Sequence, residues 1–191
     1  MKNHKSEDRK HMRGYFAVGV QGLSKEGNFG NLVRTAHAFG ASFFFTIAAE
    51  RTFAKPGTDT SNSGDHIPYY PWANEDELIL PKDCRLVGVE LTDDAIDLPS
   101  FRHPTKAAYI LGPERGNLTK TMQDKCDFIV KIPTRFCLNV ATAGAIIMYD
   151  RVQSMGGFTD RPVRAGGPRE PRVHQHGQPR FRSGIPDALK G

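Results

Sequence analysis

The stretch DFIVKIPTRFCLNVATAGAIIMYDRVQ, residues 127–153, decides how the chain is read. Its first part, 127–132, is a short apolar run ended by Pro133, which reads as a buried strand. Its last part, 138–153, is long, rich in Ala, Ile and Met, and free of proline, which reads as a helix. Between them lies a turn bearing Arg135, Cys137 and Asn139. Polar and reactive groups are thus set where a strand hands over to a helix. In open α/β sheets that is where ligands sit.

The same arrangement recurs twice upstream. YFAVGVQ (15–21) reads as a buried strand and runs into GLSKEGNFGNLVR (22–34). AAYILG (107–112) reads as a strand, and the overlapping turn LGPERGNL (111–118) leads to a helix in NLTKTMQDK. SFFFTIA (42–48) and CRLVGVEL (84–91) are further strands. NLVRTAHAF is a helix with an apolar face of Leu32, Val33, Ala36 and Phe39, and Gly40 stops it. NEDELI is a short helix, and 54–66 is loop by its Pro, Gly and Ser content. Near-continuous apolar strands between helices predict an α/β fold, a mostly parallel sheet with helices on both faces.

Composition bounds the alternatives. The chain has 191 residues, 38% hydrophobic and 25% charged, which suits one domain with tails. No apolar run approaches the roughly 20 residues of a membrane helix. The basic N-terminus lacks an apolar core, so no secretory signal is expected. Cys84, Cys126 and Cys137 are an odd set without CxxC spacing, read as reduced thiols in a cytoplasmic protein. No close-spaced set of metal ligands is present, and His174 with His176 is read as an incidental pair.

The net charge of +5 sits at the ends. Residues 1–13 hold five Lys/Arg against two acids, and 153–191 hold seven against three, so 14–152 is slightly acidic. Expected boundaries are a basic arm (1–13), a folded domain (14–153) and a disordered basic tail rich in Gly, Pro and Arg (154–191). Basic arms on a near-neutral core suit a nucleic-acid binder, because phosphate neutralisation is largely electrostatic. They equally suit a solubility tail.

The three turns supply Asn28, Arg34, Glu114, Arg115, Arg135, Cys137 and Asn139. Read singly, Asn28 and Asn139 are as well explained as helix N-caps, Arg34 as a solvated helix residue and Glu114 as a turn acid. Read together, they form one polar site. The spacing does not fit GxGxxG, a P-loop or a GxSxG elbow.

The three turns resemble motifs 1, 2 and 3 of the SpoU/TrmH branch of the SPOUT RNA methyltransferases. Asn28, Gly30, Arg34 and Thr35 match motif 1. Gly112, Glu114 and Leu118 match motif 2, with Gly116 one place early. Ile132, Pro133, Leu138, Asn139 and Val140 match motif 3, with Cys137 where the family has serine and a shorter span before it. The resemblance covers about 15–153. It implies a C-terminal trefoil knot, a rare exception to unknotted topology, and a homodimer packed through its first and last helices. The small residues of NVATAGA would serve that contact or face the chain's own sheet.

The implied reaction moves a methyl group from S-adenosylmethionine to a ribose 2′-hydroxyl of RNA, with tRNA favoured over rRNA because no extra RNA-recognition domain is present. Arg34 takes the place of the family's catalytic arginine. A guanidinium with a pKa above about 12 is a poor base, so Arg34 is expected to clamp a phosphate and orient the hydroxyl. Asn28 and Glu114 would hold it, and Asn139 would fix the motif-3 turn. Gly112, Ile132 and Leu138 would bind the cofactor through main-chain groups, with Glu90–Thr92 as a further strand end. The rival expectation is a catalytically idle domain of the same fold acting as an RNA-binding or assembly factor.

Overall fold

In the computed structural model the described residues are 14–50, 67–158 and 165–166. The basic arm, residues 54–66 and nearly all of the tail lie outside them. The described residues between 14 and 158 belong to one compact unit.

The chain runs β1 (Tyr15–Gln21), α1 (Glu26–Phe39), β2 (Phe43–Ile47), β3 (Tyr69–Trp72), a 3-10 turn (Glu75–Glu77), β4 (Arg85–Val89), β5 (Ile96–Asp97), a second 3-10 turn (Leu98–Ser100), β6 (Lys106–Leu111), α2 (Lys120–Lys125), β7 (Phe128–Lys131) and α3 (Val140–Ser154). The strands form one sheet in the order β3-β2-β1-β6-β4-β7-β5. Every neighbouring pair is parallel, for example Ala17 beside Phe43 and Ala108 in β1. All carboxyl ends therefore point to one edge, which gathers the three polar turns.

Alternation along the strands gives the sheet two dry faces. Phe16, Val18 and Val20 pack with Leu32, Val33 and Ala36 of α1 and with Ile147 and Met148 of α3. Ala17, Phe45, Leu86 and Ile110 pack on the other face with Leu118 and with Met122 of α2. Gly19 has no room for a side chain, since an added Cβ would lie 2.2 Å from the Phe45 ring. Gly144 lets α3 close on α1: a Cβ there would meet Leu32 Cδ2 at 2.5 Å and Leu111 at 3.7 Å. This member of the small-residue run packs within its own chain.

Several boundaries differ from the sequence reading, for physical reasons. The helix read in NLVRTAHAF begins five residues earlier, at Glu26. Its start at Gly27 and Gly30 is unfavourable by propensity but is capped from the loop that carries Glu114. Gly40 ends it in the left-handed conformation, φ 78°. NEDELI forms only a 3-10 turn, started by Asn74 accepting from the amides of Asp76 and Glu77. The strands β3 and β5 were not anticipated: one contains Pro71 and the other has two residues.

Candidate functional site

The loop after β1 brings Ser24, Lys25 and Asn28 to the carboxyl edge. The loop after β6 brings Gly112–Leu118, and the loop after β7 brings Ile132–Asn139. They meet through one carboxylate. Glu114 Oε2 accepts from the Ser24 amide at 3.1 Å and from Ser24 Oγ at 3.2 Å. Its Oε1 accepts from the Lys25 amide at 3.0 Å and from Asn28 Nδ2 at 3.1 Å. Lys25 is the N-cap of α1 and makes no side-chain cap bond. Glu114 does that work from outside the helix, at the end where the helix dipole favours negative charge.

The chain of bonds continues into motif 3. Asn139 Nδ2 donates to Asn28 Oδ1 at 3.1 Å. Asn139 Oδ1 accepts from the amides of Ala141 at 2.9 Å and Thr142 at 3.3 Å, so Asn139 is the N-cap of α3. Asn28 sits inside the first turn of α1, buried, and is not its cap. The sequence Asn139–Asn28–Glu114 therefore ties the starts of two helices to one loop. Burial alone would raise the Glu114 carboxyl, but the bonds from Asn28, Lys25 and Ser24 outweigh it and hold it below the ordinary value. Glu114 is thus an ionised acceptor with its oxygens engaged.

Beside this network lies a cavity of about 320 Å³. Gly112, Ile132 and Leu138 line it, as do Glu114, Cys137, Asn139 and Lys25. The strand end of β4 contributes Glu90, whose Oε2 accepts from the Leu118 amide at 2.7 Å and whose Oε1 accepts from the Leu91 amide at 2.8 Å. A Cβ on Gly112 would come within 3.2 Å of Glu90 Oε2 and 3.3 Å of the Leu118 nitrogen. Glycine here leaves main chain, not side chain, facing the cavity. Gln21 holds the same loop from behind: its Oε1 accepts from the Thr119 amide at 2.9 Å, and its Nε2 donates to Glu75 at 2.5 Å.

The sequence-derived site thus divides. Asn28, Glu114 and Asn139 form one network, and Gly112, Ile132 and Leu138 share one cavity. Arg34 is exposed on α1 and is not among the residues that line the cavity. It lies six residues beyond Asn28, about 240° around the helix and about 9 Å along it. Arg115 and Arg135 are exposed near the mouth. The contributions of Ser24, Lys25 and Gln21 were missed. Their only sequence signal is position, at the end of an apolar strand. Among the described residues no group of three His, Cys, Asp or Glu could hold a metal.

The sequence profile of the SpoU rRNA Methylase family matches residues 15–149. A protein of Staphylococcus haemolyticus assigned to the TrmH family of tRNA/rRNA methyltransferases is 28% identical over 143 residues, 70% of this chain and 56% of that protein. The chain therefore spans little more than half the length of this relative. The SpoU methyltransferase AviRb from Streptomyces viridochromogenes superposes with a TM-score of 0.67 at 22% identity, over 74% of this chain and 60% of that one. AviRb has also been solved in complex with AdoMet. An AdoMet-bound rRNA methyltransferase from Sinorhizobium meliloti superposes with a TM-score of 0.64 at 24% identity, over 74% and 57%. At such identity the structural matches speak for the fold. The profile match over most of the folded unit, joined to three motif loops gathered around one cavity, makes this chain a member of the SpoU rRNA methylase family.

Proposed function

We propose that the protein is an S-adenosylmethionine-dependent methyltransferase acting on a ribose 2′-hydroxyl of RNA, with tRNA favoured over rRNA. The observation that carries the reading is the cavity bounded by Gly112, Ile132 and Leu138 and flanked by the Asn139–Asn28–Glu114 network. Its volume of about 320 Å³ is at the lower end of the range for small-molecule sites, about 300–1,000 Å³. The lining fits such a cofactor: apolar walls from Val89, Leu111 and Ile132, and a glycine that leaves room for the Glu90–Leu118 bond beside it. When bound, the cofactor supplies an electrophilic methyl group on a sulfonium.

The chain's own residues supply position. Gly112, Ile132 and Leu138 hold the cofactor through main-chain groups. Asn139 and Asn28 fix the angle between the motif-3 turn and α1. Glu114 anchors both, and its engaged oxygens make it a positioning residue rather than a base. Arg34, set off the cavity wall, clamps the phosphate beside the target ribose and aligns the hydroxyl. Holding a weak nucleophile in line lowers the barrier by several kcal/mol. The same reading includes the trefoil knot: β4 lies between β6 and β7, so the connection carrying the motif-2 loop crosses β4. It also includes a cytoplasmic homodimer and basic ends that hold RNA. Among the described residues no helix is long and apolar enough to cross a membrane.

The test is mass spectrometry of ribose-methylated nucleosides in tRNA and rRNA from cells with and without the gene. Loss of one 2′-O-methyl nucleoside from tRNA is expected. Unchanged nucleosides in both RNA pools, together with failure of the protein to bind S-adenosylmethionine, would replace this reading with the idle RNA-binding domain.

A further inference from the structure

We infer that Phe136 is a stacking platform for a nucleobase of the bound RNA, at the mouth of the cavity. The inference rests on the proposed function and adds a residue that the motifs do not contain. Phe136 is 79% exposed, the most exposed large hydrophobic side chain among the described residues. An isolated surface aromatic needs no explanation, but this one belongs to the loop that supplies one wall of the cavity, between two of its lining residues. Thr134 on one side of it and Cys137 on the other both line the cavity.

The turn that presents it is held in place. Thr134 Oγ1 donates to the Phe136 carbonyl at 2.9 Å, which closes the turn beneath the ring. Leu138 and Asn139 follow, with Asn139 fixed as the cap of α3. The ring therefore projects from a short span pinned at both ends.

Its surroundings match a nucleotide. Arg135 is exposed next to it, and Lys25 is an exposed cation on the cavity rim. An aromatic face flanked by cations is the recurring pattern for single-stranded nucleic acid, with stacking on the ring and phosphate beside the charge. RNA recognition relies on bases turned out of the stack onto aromatic rings. A ribose whose 2′-hydroxyl must enter a cavity requires such local unstacking. Phe136 is a positioning residue: it holds the strand and touches no reacting atom.

The experiment uses the full chain, a short oligoadenosine RNA and an abasic oligomer with the same ribose-phosphate backbone. Fluorescence anisotropy is measured across a salt series for wild type, Phe136→Ala, Phe136→Leu and Phe136→Trp. Phe136→Ala and Phe136→Leu are expected to weaken oligoadenosine binding about 10-fold, within the range of about 5- to 150-fold for one lost stacked base. The salt slope should stay unchanged, because no phosphate contact is removed. Phe136→Trp should restore binding. Affinity for the abasic oligomer and for S-adenosylmethionine should be the same in all four proteins. Equal losses on both RNAs, or rescue by leucine, would overturn the stacking role. A change in sedimentation of Phe136→Ala would also overturn it, in favour of a contact between copies of the chain. Wild type that binds neither RNA would remove the proposed function along with this inference, whereas wild type and Phe136→Ala binding equally well would remove the inference alone.

Discussion

The two edges of the sheet each carry a polar cluster, and the two are built on opposite plans. At the carboxyl edge, Asn139, Asn28 and Glu114 form a chain of bonds that opens onto a cavity. At the amino edge, Arg151 of α3 is fully buried. Its Nη1 donates to the Pro104 carbonyl at 2.6 Å and to Tyr109 Oη at 3.1 Å. Its Nη2 donates to the carbonyls of Tyr15 at 3.1 Å and Thr105 at 3.0 Å. The guanidinium also lies over the rings of Phe16 and Tyr109, 5.2 and 5.8 Å from their centroids. Since Tyr109 Oη accepts from Arg151, it donates to His103 Nδ1 at 2.6 Å, and His103 Nε2 donates to Asp150 at 2.9 Å. One end of α3 thus fastens a cavity and the other end seals the sheet. Similar residue types serve binding or stability according to whether solvent-sized space is left beside them.

The contrast can be broken most severely at Arg151. Arg151→Met keeps much of the volume but strands the carbonyls that it satisfied. A loss of about 3–5 kcal/mol is expected in urea denaturation, with S-adenosylmethionine affinity preserved in the fraction that stays folded. Glu114→Gln should cost less stability, about 1–3 kcal/mol, because the amide keeps the shape but offers one acceptor oxygen in place of two. It should reduce methyl transfer far more than Arg151→Met does at equal folded fraction, which compares the two edges directly. Asn139→Ala removes an N-cap and the link to Asn28, with an expected loss of about 1 kcal/mol and a weakened cofactor site, read by calorimetry.

Acid sharpens the same comparison. Burial holds the His103 imidazole below its ordinary value, against the raising effect of Asp150 and together with the lowering effect of Arg151. The group is neutral in the native state and protonates more readily when unfolded. Its contribution to stability is therefore complete above about pH 6.5 and is lost as pH falls from there through the lower native value. His103→Gln should flatten that part of the stability–pH curve, measured by thermal unfolding. The smallest effect belongs to Cys137. It is exposed, so Cys137→Ser should change stability by no more than about 0.5 kcal/mol.

Much of the fold was legible because strand signals are local. YFAVGVQ reads as a two-faced buried strand and is β1, and its continuous burial is what a parallel interior strand requires. YYPW was not legible, because Pro71 argues against a central strand; β3 is the sheet edge, where a missing donor is tolerated. The site was legible where backbone turns define it, as at Gly112, Leu138 and Asn139. It was less legible where side-chain direction matters. The start of α1 depends on Glu114, remote in sequence by 86 positions from Asn28, and only that start fixes where Arg34 points. The buried Arg151 left no sequence signal, since an arginine near a helix end ordinarily faces water.

The claim on which the account turns is that one methyl-donor pocket lies between the loops after β6 and β7. Crystals grown with saturating S-adenosylmethionine test it most directly. Density bounded by Gly112, Ile132 and Leu138, beside Asn139, is expected. Density at another surface, or a fully ordered pocket with none, would contradict it.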